Sequence, residues 1–160
     1  VLPELTPAAL EAAKPVLDAC PAGEENLPVR WAALLGALGE TDTRRVLKRL
    51  RCSNACIEET AVLVREAAGE SVCRSFSEEK ASAHPGDIHI RRLLGRYGLC
   101  TVERLCALCA ALHPQNAPDC ALAAQRARQL EADGVCDSLP SVSKINNVLI
   151  IKVANIAKIP

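Results

Sequence analysis

A chain of 160 residues with 49% hydrophobic content is long enough to bury one core, and its 19 basic and 19 acidic residues leave no net charge, which excludes long-range attraction of polyanions. Aromatic residues make up only 2%, so closely packed helices are favoured over sheets and few rings are on hand for base stacking. No apolar run reaches the roughly 18 residues needed to cross a bilayer and no signal peptide opens the chain, so the expected location is cytoplasmic, with no membrane partner.

Thr6 followed by Pro7 reads as an N-cap with proline at the first helical position. The helix is expected to run through Leu10, Ala13 and Leu17 to about Cys20, kinked or shortened by Pro15. A turn over 21–26 leads into the stretch 27–54, which holds the one tryptophan and the densest positive charge. Here Trp31, Leu34, Leu35 and Leu38 fall at i, i+3, i+4 and i+7, the spacing of one buried helical face, and Gly39 ends the helix. Trp31 is expected to be buried. Thr41 or Asp42 is expected to cap a second helix over 42–51, with Val46, Leu47 and Leu50 inward. Arg44, Arg45, Lys48, Arg49 and Arg51 then cover its outer surface.

Ser53 or Asn54 caps the next helix, which turns Ile57, Ala61 and Val64 inward and stops before Gly69. The polar stretch 70–86 has no periodicity and reads as a loop. Asp87 is expected to cap a helix bearing Ile90, Leu93, Leu94 and Tyr97, closed by Gly98, with Arg91, Arg92 and Arg96 outside. Thr101 and Glu103 begin another, through Leu105, Leu108 and Leu112, broken by the prolines at 114 and 118. A polar helix follows to about Ala132, with Arg126, Arg128 and Glu131 exposed. The pattern predicts an all-α fold, a compact bundle of about six to eight short helices, over a domain at 1–140.

The end of the chain differs in composition. Residues 145–160 hold five isoleucines against three in the preceding 144, and no arginine follows Arg128. Residues 141–160 are therefore an atypical tail, read as unreliable sequence or the start of a tail domain. The chain begins at Val1 and contains no methionine, so it is read as part of a longer protein.

Nine cysteines invite a metal reading, with Cys106 and Cys109 as a C-x-x-C and Cys52 and Cys56 as a C-x-x-x-C. Because 106 and 109 lie one helical turn apart in a leucine-rich pattern, buried reduced thiols are the expectation and no metal ligand is assigned. His84, His89 and His113 have no partner at ligand spacing. No paired-aspartate motif, phosphate loop or nucleophilic set is visible, so no catalytic residue and no cofactor is assigned to this chain. The basic runs at 44–51 and 91–96 read equally as solvated faces or as contacts to phosphate.

The run RWAALL at 30–35, a break at Gly39 and a leucine-rich basic helix ending in RCSN at 51–54 resemble the body of bacterial CCA-adding tRNA nucleotidyltransferases and the related poly(A) polymerases. So do the RRLL at 91–94 followed by Tyr97 and Gly98, and the Cys-x-Ser-Leu step at 136–139. Much of that family follows the leucine pair with His-Asp-x-Gly-Lys, a metal-binding HD phosphohydrolase motif. This chain has Gly36, Ala37, Leu38, Gly39 and Glu40 there, which is similar to the branch that has lost the hydrolase. The resemblance covers about 1–140 and fails in the tail. It implies a tRNA-binding body that positions the acceptor arm for a catalytic head absent from this chain, the head using Mg2+. Weak tRNA contact is expected at Arg44, Lys48 and Arg51 on one helix face, with Arg91 and Arg92 as a second contact. The alternatives are a stand-alone helical interaction module descended from an HD hydrolase, and a zinc-bearing helical domain.

Overall fold

The computed structural model describes residues 4–68 and 85–134. Over these residues the fold is all-α, and seven α-helices run in the order α1 (Pro7–Ala19), α2 (Leu27–Leu35), α3 (Gly39–Arg49), α4 (Asn54–Ala68), α5 (Pro85–Tyr97), α6 (Leu99–Leu112) and α7 (Ala117–Ala132). The expected loop at 70–86 falls largely outside the described residues. So do the tail, Cys136 and the domain boundary at 140.

Local chemistry sets most helix ends. Thr6 holds an extended backbone and its Oγ1 accepts from the Ala9 amide at 3.2 Å, satisfying one of the amides that the first turn leaves unpaired. Ser53 Oγ does the same for Cys56 at 3.3 Å. Gly39 and Gly98 adopt φ of +77° and +79°, so a side chain at either would be strained where the chain turns into α3 and α6. Several expected starts move. α3 begins at Gly39 without a side-chain cap, so Thr41 and Asp42 lie inside it. α5 begins at Pro85, ahead of Asp87, and α6 at Leu99, ahead of Thr101. In these helices the boundary is made by a glycine at positive φ, Gly39 as the first residue of α3 and Gly98 just before α6, or by the proline that opens α5. Pro15 does not shorten α1, which continues to Ala19.

Two apolar clusters divide the core. The larger is built around α6, where Val102, Leu105, Leu108 and Cys109 are almost wholly enclosed by residues of α2, α4, α5 and α7. The smaller joins Leu35 of α2, Val46 and Leu47 of α3, Ile57 of α4 and Leu5 from the segment before α1. α2 and α4 each contribute to both, which ties the clusters together.

This division corrects the expected face of α2. Its most buried residues are Pro28, Val29, Ala32 and Leu35. Trp31, Leu34 and Leu38 are only partly buried, packed against the smaller cluster. The helix packs against α1, α4 and α6 as well as α3 and sends residues into both clusters, so two stripes face inward, with the indole among the partly buried residues of the smaller cluster. Leu50 is likewise corrected: it caps the end of α3 and is 43% exposed. In α3 the inward side includes Thr43, whose hydroxyl donates to the Leu35 carbonyl at 3.3 Å.

Candidate nucleic-acid interface

α3 carries five basic residues in or just beyond its last turns, and the fold neutralises most of them internally. Arg44 is held by two carboxylates: Nη1 pairs with Glu58 of α4, and Nε and Nη2 donate to Glu40 at 3.2 and 3.1 Å. Arg45 pairs with Asp42 at 2.7 Å. Arg49 grips both carboxylate oxygens of Glu4, at 2.6 and 2.8 Å, a fork geometry that suits guanidinium and carboxylate. These contacts hold the Glu4 and Glu58 carboxyls below the usual carboxylate range, in each case chiefly through the arginine hydrogen bond. Lys48 and Arg51 are exposed and form no ion pair with a described residue.

Arg44, Lys48 and Arg51 do not share one helical face, because α3 ends at Arg49. Arg51 is the residue just past the C-cap, with φ of +57°. Its amide donates to the Lys48 carbonyl at 3.0 Å and that of Cys52 to the Leu47 carbonyl at 3.1 Å, the paired bonds of a Schellman ending. Arginine thus occupies a position that ordinarily takes glycine.

The second expected contact is also redistributed. On α5, Arg91 is half-buried while Arg92 and Arg96 are exposed one turn apart. The Arg96 guanidinium lies 5.4 Å from the centre of the Tyr97 ring, within cation–π range. Tyr97 donates to Glu66 at 2.7 Å and accepts from Arg65 at 2.8 Å. Arg65 reaches Glu40 at 3.6 Å, so a continuous chain of ionic and hydrogen-bonded groups runs from Arg44 on α3 across α4 to Tyr97 on α5. Glu58 and Tyr97 also line one open hollow of about 410 Å³, with Arg104 and Thr101 of α6 in its wall. The sequence reading missed this bridge, since its members lie up to 57 residues apart.

Where the resembled family carries its metal motif, Gly36 and Ala37 line an apolar cleft of about 260 Å³ between α1, α2, α4 and α6. Its lining side chains are alanine, valine and leucine throughout, with no nitrogen, oxygen or sulfur to ligate a metal, so a phosphohydrolase centre does not fit here. Among the described residues no three His, Cys, Asp or Glu side chains come together as a metal-binding group. Cys20, Cys106, Cys109 and Cys120 are buried in the larger cluster, and the seven described cysteines are not bridged to one another. No described helix is long and apolar enough to cross a membrane. No family model, curated protein or solved structure matches this chain.

Proposed function

We propose that this chain is a helical body that binds RNA through its phosphate backbone, in the manner the resemblance to CCA-adding tRNA nucleotidyltransferases implies, holding a tRNA acceptor arm for a catalytic head elsewhere. The observation that carries this reading is a set of exposed cations among the described residues that form no ion pair with another described residue: Lys48 and Arg51 at the end of α3, and Arg92 and Arg96 along α5. Helical RNA is recognised mainly by shape and backbone, which needs cations at phosphate spacing and little base-specific chemistry. Arg44 belongs to this surface as a held residue, since its two carboxylate partners already fix its guanidinium. The cytoplasmic setting belongs to the same reading.

Zero net charge makes the binding weak, and reliance on phosphate contacts makes it steeply dependent on salt. The test is a titration of the 160-residue chain with tRNA and with a DNA duplex of similar length, at two salt concentrations. Tighter binding to tRNA, lost at the higher salt and in a Lys48→Glu/Arg92→Glu/Arg96→Glu variant with unchanged helical circular dichroism, is expected. Salt-independent binding, or a triple variant that binds as well as the parent, overturns the reading.

A further inference from the structure

On α3, Arg44 is shared between two carboxylates, and Glu58 of α4 is the more exposed of the two. Glu58 pairs with Arg44, and the charge of Lys48, one turn further along α3, also acts on it. Its side chain is 64% exposed, whereas Glu40, the other partner of Arg44, is 30% exposed and shared with Arg65. An incoming phosphate that displaced Glu58 would therefore leave Arg44 still oriented by Glu40.

We infer that Glu58 acts as a built-in competitor for RNA phosphate, occupying Arg44 and screening Lys48 in the free protein and swinging aside when the backbone arrives. This rests on the RNA-binding reading and adds a regulatory element to it. The physical basis is exchange: an exposed ion pair contributes little to stability, so the protein loses little when a phosphate replaces the carboxylate, but each contact must first break one already made. Affinity is thereby held down and made reversible at the α3 end of the surface. Arg44 in this account is a positioning residue as well as a latent phosphate ligand.

The experiment compares the parent chain with Glu58→Gln and with Glu11→Gln, which removes the same charge from an exposed pair with Lys14 on α1. Binding of an RNA hairpin carrying an acceptor-stem-like duplex is measured over a salt series. Glu58→Gln should tighten binding by roughly three- to tenfold at low salt and make the log–log salt slope steeper, by less than the roughly 0.7 to 0.9 of a whole phosphate contact, because no freed carboxylate draws a cation back from solution. Glu11→Gln should do neither. The gain should vanish when Glu58→Gln is combined with Arg44→Gln and Lys48→Gln. If the parent binds RNA but Glu58→Gln and Glu11→Gln behave alike, the competitor role is overturned while the RNA reading stands. If neither the parent nor Glu58→Gln binds at the lowest salt, the RNA reading falls and the competitor role with it.

Discussion

Arg51 illustrates how one residue can answer to two demands. Its left-handed backbone completes the ending of α3, where the amides at 51 and 52 turn back onto the carbonyls of Lys48 and Leu47. For a residue with a Cβ this conformation costs roughly 1–2 kcal/mol, which glycine avoids at the expense of greater freedom in the unfolded chain. Arg51→Gly should therefore be neutral or mildly stabilising in a urea melt, within about 1 kcal/mol, because the two effects oppose each other. Arg51→Val should lower stability by more than about 1 kcal/mol, since a branched Cβ tolerates the left-handed region poorly. Equal melts for the valine and glycine variants would show that α3 does not end as described. In the RNA assay Arg51→Gly removes a cation without loosening the helix, so it isolates the charge.

At the scale of elements, the bundle is tied by charged clasps between helices as well as by its apolar faces. The segment before α1 is pinned to α3 twice, by Leu5 in the smaller cluster and by the bidentate Glu4–Arg49 pair. Because Arg49 lowers the carboxyl pKa of Glu4, the folded state holds the ionised form more strongly than the unfolded chain does. The resulting stabilisation is present at neutral pH, begins to fade below the ordinary glutamate value of about 4.3, and is lost as pH falls through the lowered value. Glu58 and Arg44 act in the same direction between α4 and α3. Urea midpoints followed from neutral pH into acid should fall for the parent chain and fall less for Arg49→Gln, with the loss appearing first as faster amide exchange in α1. An Arg49→Gln variant with the same acid profile as the parent would remove Glu4 from the account.

For the molecule as a whole, two clusters of unequal size predict unequal sensitivity. Leu105 is 2% exposed at the centre of the larger cluster, among residues from α4 to α7. Leu105→Ala should cost about 2–5 kcal/mol, a large share of the 5–15 kcal/mol typical of a small domain. Trp31 lies at the edge of the smaller cluster, so Trp31→Ala should cost less than Leu105→Ala, about 1–3 kcal/mol by scaling the cost of a fully buried ring. Chemical denaturation of the two variants checks the order. A tryptophan variant less stable than the leucine variant would place the main core at the α2–α3 hairpin.

The sequence by itself determined the helical class, most helix ends and much of the core, because the causes are local. A threonine before a proline, a serine before a helix, glycines at left-handed positions and leucines spaced by three and four act within a turn or two of themselves. Thr6, Ser53, Gly39 and Gly98 punctuate the chain where their chemistry requires, and Leu93, Leu94, Leu105 and Leu108 are buried as their spacing demands. Only the tertiary structure decided which stripe of α2 faces which cluster, since an apolar helix with neighbours on two sides has more than one inward direction. It alone decided which cations are free. Glu40 lies one helical turn from Arg44, but the glutamates that reach Arg44 from α4 and Arg49 from ahead of α1 lie 14 and 45 residues away along the chain, and nothing in a run of arginines indicates those meetings before the helices pack.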